Sequence, residues 1–201
     1  MTTTLEEIPT RSSERTLLRL AVIIGSTRKG RFAPTVAKWF AGAALGRGDM
    51  TVDLIDLAEA ELPDMLSSTP GPEVAALTAR LANADAFVVV TPEYNHSFPA
   101  PLKTAIDWHS REWKAKPIGF VSYGGRSGGL RAVEQLRQVF AELHGVTVRD
   151  SVSFHDVWSQ FGQDGRPNHS GCEAAAQTML DQLAWWGRVL GEAKVHLPYR
   201  F

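Results

Sequence analysis

The chain has 201 residues, with 21 Lys plus Arg against 22 Asp plus Glu, a formal net charge of −1 and a single cysteine, Cys172. That length favours one domain, able to bury roughly 70% of its unfolded-chain surface without disulfide or metal support. The balanced charge excludes a global basic bias toward nucleic acid or an anionic membrane. One cysteine excludes an intramolecular disulfide, a protein-held iron–sulfur cluster and a Cys-rich zinc site.

Residues 1–16 read as a flexible N-terminal tail, followed by one domain over 17–201. The tail holds Thr, Ser and Pro with Glu6, Glu7 and Arg11, and lacks the apolar run of a signal peptide. No apolar stretch approaches the ~20 residues of a membrane span. A cytoplasmic protein with no membrane partner is therefore expected, and a reducing compartment suits the cysteine usage.

Leu17 to Ile24 is an apolar run stopped by Gly25, which reads as a buried strand. From Pro34, the spacing of Val36, Ala37, Phe40 and Ala44 predicts a helix ended by Gly46 and Gly48. Thr51 to Leu57 is a second strand, Glu73 to Ala82 a helix, and Ala86 to Val90 a third strand closed by Pro92. Pro101 to Trp108 starts another helix, Pro117 to Ser122 is a fourth strand, and Leu130 to Leu143 is an amphipathic helix. Gly145 to Phe154 holds a fifth strand, and Glu173 to Leu190 is the final helix. Strands alternating with helices imply an α/β fold of βαβ units around a parallel sheet. Five strands fit either a flavodoxin-like order 2-1-3-4-5 or a Rossmann-type order. Both put a ligand outside the carboxyl ends of the strands, near the switch point.

Three loops at that edge have unusual composition. The first, Gly25-Ser26-Thr27-Arg28-Lys29-Gly30-Arg31, joins a strand to a helix start. Backbone N–H groups, hydroxyls and cations there suit an anion, most simply a phosphate. It has neither the Walker A spacing nor Gly-x-Gly-x-x-Gly. The second, Thr91 to Pro101, is dense in turn formers and carries Tyr94 and Phe98. The third, Ser122 to Gly129, holds four glycines, which permit close approach to a flat ligand, and Arg126 beside them. One loop for a phosphate and two for a planar ring describe a mononucleotide. FMN fits better than a triphosphate, because no Walker lysine or acidic Mg²⁺ cluster is present. The six histidines show no metal spacing, so no metal is expected.

The segments GSTRKGR (25–31), TPEYNHSFPAPLKTAIDW (91–108) and VSYGGRSGG (121–129) resemble the NADPH-dependent FMN reductases. These are flavodoxin-like enzymes that include quinone-, azo- and chromate-reducing members. The resemblance runs from about Leu17 to Leu190 and implies the three-layer fold with sheet order 2-1-3-4-5. It implies that Ser26 and Arg28 bind the FMN phosphate, in a turn completed by Arg31, Phe32 and Ala33. Pro92, Glu93, Tyr94 and Asn95 would line the isoalloxazine, largely through backbone groups. Ser122, Tyr123, Gly124, Gly125 and Arg126 would meet its other side or its pyrimidine edge. Many members carry Ser and Asn where this chain has Arg31 and Ala33, so Arg31 would have to replace their phosphate contacts by charge.

The resemblance further implies hydride transfer from NADPH or NADH to bound FMN, then two electrons to a flavin, quinone or similar small acceptor, with ping-pong kinetics. No side chain is assigned a catalytic role, because the flavin carries the chemistry. The alternative is a flavodoxin-like electron carrier that does not oxidise NAD(P)H directly. A near-neutral chain with an Arg-bearing phosphate loop argues against it. A homodimer, or a tetramer, is implied, with contacts expected around Asp107, Trp108 and Trp113.

Overall fold

The computed structural model describes residues 17–201, so the tail expected over 1–16 lies outside the described residues. In chain order the elements are β1 (Leu18–Ile24), α1 (Ala33–Leu45), β2 (Met50–Asp56), α2 (Pro72–Asn83) and β3 (Ala86–Pro92). They continue with α3 (Ala100–Trp108), β4 (Pro117–Tyr123), α4 (Leu130–Glu142), β5 (Val146–Thr147), β6 (Val152–Phe154), a 3-10 turn (Val157–Ser159) and α5 (Gly171–His196). The strands pair in parallel in the order β2-β1-β3-β4-β5, with β6 also on β4.

Alternation along the strands builds two cores. Leu20, Val22, Ile24, Val88 and Val90 face α1 and α5, where they meet Phe40, Met179 and Leu183. Ala21, Ile23, Phe87 and Val89 face α2, α3 and α4, where they meet Leu77, Ile106 and Leu136. With helices on both sides, every residue of β3 and β4 is buried, and both strands are apolar up to Val90 and Val121, with the buried hydroxyls of Thr91 and Ser122 following at their carboxyl ends. β3 ends at Pro92, which has no N–H to extend the ladder.

The fifth strand position is interrupted. β4 advances from Ile118 to Val121 while its edge neighbour advances from Thr147 to Val152, so the edge chain bulges between. Arg137 of α4 takes up the freed carbonyls, donating to Val148 O at 2.7 Å and to Arg149 O at 2.9 Å. The last helix runs past Leu190 to His196, carried through Gly191 and anchored where Lys194 Nζ donates to Ala115 O at 3.1 Å. No helix is long and apolar enough to cross a membrane, among the described residues.

Candidate functional site

Parallel pairing brings the loops after β1, β3 and β4 to one edge, where they enclose an open cleft of about 250 Å³. Arg28, Arg31 and Phe32 line it from the first loop, Pro92, Glu93 and Tyr94 from the second, and Tyr123, Gly124 and Gly125 from the third. Ser26, Ala33 and Ser122 are buried behind these residues. Asn95 and Arg126 are exposed and lie off the cleft wall.

The first loop leaves donors open at a helix start. α1 begins after Phe32 with no side chain capping its N-terminus, so its positive end is open. Arg31 N donates to Arg28 O at 3.2 Å, whereas the N–H groups of residues 27–30 have no acceptor among the described residues. Arg28 is exposed at the cleft and has no acidic partner among the described residues. Arg31 differs: its guanidinium pairs with Asp56 at the end of β2, which neutralises its charge. Its Nε is buried without a partner.

The second loop is a tight hairpin. Tyr94 N donates to Ser97 O at 2.8 Å and Ser97 N donates back to Tyr94 O at 3.0 Å. Asn95 (φ 49°) and His96 (φ 72°) occupy its two central positions, the left-handed pair of a type I′ turn. Asn95 therefore shapes the turn. The hairpin presents Tyr94 to the cleft, where its hydroxyl meets Ser26 Oγ at 2.7 Å.

Glu93 lines the cleft with its carboxylate committed to the protein. Its carboxylate, only 5% exposed, pairs with Arg131 at 2.5 Å and accepts the Arg131 N–H at 3.3 Å, so it caps the start of α4 from a different loop. Burial pushes this carboxyl up, but hydrogen bonds from Ser127 and Arg131 and the Arg131 charge outweigh it and hold the carboxyl below its ordinary value. Arg131 also meets His96 Nδ1 at 3.0 Å. It is thus committed to protein partners.

Beyond Tyr123, the third loop supplies a wall that carries no side chain at Gly124 and Gly125. The left-handed glycines are Gly128 and Gly129, whereas Gly124 and Gly125 have ordinary backbone. A Cβ at Gly125 would meet only Asp156 Oδ1, at 4.0 Å, so the protein itself leaves room there. Ser122 Oγ donates to Gly128 O at 2.8 Å and holds the glycine turn from beneath. Burial, with Tyr94 nearby, pushes the Tyr123 phenol up against the opposing Ser26 and Arg31, so it stays neutral.

A fourth segment, missed in the sequence reading, completes the rim. The turn after β6 places Val157 and Trp158 on the cleft. Asp156 N donates to Gly125 O at 2.9 Å and Val157 N donates to Gly124 O at 3.1 Å. An aromatic in a short polar stretch, His155-Asp156-Val157-Trp158-Ser159, was the available signal. A larger groove of about 730 Å³ runs between α1 and the start of α5, over Trp39, and no residue of the three loops lines it.

Residues 18–159 match the family model described as NADPH-dependent FMN reductase. The chain belongs to the NADPH-dependent FMN reductase family. It is an oxidoreductase that uses FMN and NAD(P)H. A 2-hydroxy-1,4-benzoquinone reductase from a Burkholderia species is 33% identical over 180 residues, 85% of this chain and 97% of that protein. An NAD(P)H-dependent FMN reductase from Schizosaccharomyces pombe is 36% identical over 132 residues, 60% of this chain and 64% of that protein. Among solved structures, the Paracoccus denitrificans flavoenzyme NAD(P)H:(acceptor) oxidoreductase FerB superposes with a TM-score of 0.70 at 24% identity. That match covers 86% of this chain and 98% of FerB and speaks to the fold.

The residues present fit FMN. Free N–H groups at an uncapped helix start suit its phosphate, the orphaned Arg31 Nε is a spare buried donor, and Gly124 and Gly125 leave a wall that a flat ring can approach.

Of the residues expected at dimer contacts, Trp113 is buried at 1% exposure, Trp108 is half-buried with its Nε1 donating to Pro63 O at 2.9 Å, and Asp107 is exposed. Trp185 on α5 is 57% exposed.

Proposed function

We propose that the cleft holds FMN with its phosphate in the loop of residues 26–33 and its ring system against Pro92, Tyr94, Tyr123, Gly124 and Gly125. The observation that carries this is the placing of Arg28 and the free N–H groups of residues 27–30 at one part of the edge, with a side-chain-free glycine wall beside it. When bound, FMN supplies a two-electron carrier that accepts hydride from NAD(P)H and passes both electrons to an acceptor. The net reaction with a quinone is NAD(P)H + H⁺ + quinone → NAD(P)⁺ + hydroquinone.

The chain's own residues bind and orient. Arg28 gives a charge-assisted contact to phosphate, worth on the order of 1.5–3 kcal/mol. Arg31, held by Asp56, positions its Nε rather than adding free charge. Tyr94 and Ser26 clamp the first two loops together, and Glu93 fixes the third through Arg131 and Ser127. The cleft is open on one side, so donor and acceptor take turns at it, which favours ping-pong kinetics. A quinone is the acceptor class best supported, since named relatives include quinone reductases. A cytoplasmic location and a homodimer complete the reading. Cys172 as a free thiol supports the first, and the exposed Trp185 and Val189 of α5 support the second.

The decisive experiment is spectroscopic. Protein loaded with FMN and mixed with NADPH without oxygen should lose its visible flavin bands and regain them on adding benzoquinone. Absence of bound flavin would overturn the cofactor assignment. Bound flavin that NADPH and NADH leave oxidised would make the protein an electron carrier.

A further inference from the structure

Trp158 lies on the cleft beside Gly124 and Gly125, yet it is 72% exposed. An indole seated on a cleft wall offers a broad π face that its own fold does not cover. The backbone beneath it is firmly held. Asp156 and Val157 donate to the carbonyls of Gly125 and Gly124, and Gly124 N donates to Phe154 O at 3.1 Å. Val157 is buried at 1% exposure and anchors the turn in the core. Asp156 adopts the left-handed conformation (φ 45°, ψ 53°), which turns the chain sharply before Trp158. Next along the chain, Phe161 packs on Phe32 at 5.4 Å and on Phe154 at 4.8 Å. The turn is thus fixed on both sides while its largest side chain is not part of the core.

Of the other aromatics lining the cleft, Tyr94 is half-buried and tied to Ser26, Tyr123 is buried, and Phe32 packs on Phe161. Trp158 is the exposed aromatic among them, free to meet whatever enters. We infer that Trp158 is a specificity-determining residue whose indole forms the outer wall of the cleft and stacks on flat, conjugated electron acceptors of the quinone class. The inference rests on the FMN-reductase reading of the cleft. The stacking favours planar acceptors over compact ions with no flat face, because only the former present a π surface to the indole.

The test uses the FMN-loaded protein and its Trp158→Ala and Trp158→Phe variants, with flavin content measured on each sample. The KM for 1,4-naphthoquinone, taken relative to that for ferricyanide, should rise about three- to tenfold in Trp158→Ala and return toward the parent value in Trp158→Phe. Independently of turnover, naphthalene-2-sulfonate, which the flavin cannot reduce, should quench tryptophan fluorescence in the parent. It should lose most of that quenching in Trp158→Phe. An unchanged KM ratio in flavin-loaded Trp158→Ala overturns the inference. So does a changed sedimentation coefficient with an unchanged ratio, which would make Trp158 a contact between copies. If the parent itself binds no FMN, the reading of the cleft fails, a result distinct from either of these.

Discussion

Ser26 Oγ and the Tyr94 hydroxyl stand 2.7 Å apart, and this one bond joins the loop after β1 to the loop after β3 across the edge of the sheet. Ser26 is fully buried, so its hydroxyl depends on protein partners rather than on water. The bond holds the turn of residues 26–33 and the Tyr94 hairpin at a set separation. Tyr94→Phe removes it and leaves the Ser26 hydroxyl less well satisfied, at a cost of about 1 kcal/mol. The thermal midpoint of the flavin-free protein should fall by about 2–4 °C. In a cycle with Ser26→Ala, the two losses should not add. Full additivity would show that the two hydroxyls do not interact in solution.

Arg28→Ala should separate phosphate recognition from ring recognition. Arg28 is exposed with no acidic partner among the described residues, so its removal should leave folding nearly unchanged. FMN affinity should fall roughly ten- to a hundredfold, while riboflavin, which lacks the phosphate, should bind as before. Titration of both ligands into the flavin-free variant measures this. Equal losses for the two would move the phosphate away from Arg28.

The glycine turn allows a paired test. At Gly125 an added side chain meets open space, with Asp156 Oδ1 at 4.0 Å as its nearest contact. Gly125→Val should therefore keep its far-UV circular dichroism and thermal midpoint while losing FMN. At Gly129 the backbone has φ +86° and a Cβ would lie 2.6 Å from Ser122 Cβ. Gly129→Val should destabilise the protein itself. Full FMN occupancy in Gly125→Val would show that this part of the wall does not meet the ring.

A pH dependence is expected at the opposite edge of the sheet. Lys116 Nζ donates to Leu81 O at 2.9 Å and Ala82 O at 3.1 Å, capping the end of α2. Burial, helped by the charge of Lys194, lowers its pKa from 10.5 to about 8, against the opposing pull of Asp85 and Glu112. Between those values the unfolded chain holds a proton that the folded chain has released. Unfolding then takes up protons, and stability rises with pH. Urea midpoints should climb from about pH 8 to pH 10. Above that window the buried Tyr123 phenol, pushed up by burial, opposes the trend. Lys116→Met should flatten the climb, leaving a smaller rise from Lys194, whose ammonium burial also lowers. An identical slope in the variant would place the titration elsewhere.

The parallel sheet was legible in the sequence because strands covered on both faces must be apolar throughout. Ala86 to Val90 carries that mark, with Pro92 as its stop, and both the order of elements and the sheet order agree with the structure. The three loops at the carboxyl edge were legible for a related reason. A turn that must expose N–H groups or bring backbone close to a ligand draws on Gly, Ser and Pro, and that composition is local. What the sequence by itself could not decide was which side chains of those loops face the cleft. Arg31 reads as a free cation until β2 brings Asp56 against it, and the Glu93 carboxylate reads as free for a ligand until α4 offers Arg131 and an open helix end. The edge strand reads as one segment until Arg137 takes the carbonyls of Val148 and Arg149 and lets it bulge. Trp158 reads as loop until the bonds from Asp156 and Val157 seat it beside Gly124 and Gly125. In each case the deciding partner is distant in sequence. Strand and turn propensities act over a few neighbouring residues, whereas charge neutralisation and hydrogen-bond satisfaction depend on groups that only the completed sheet brings within reach.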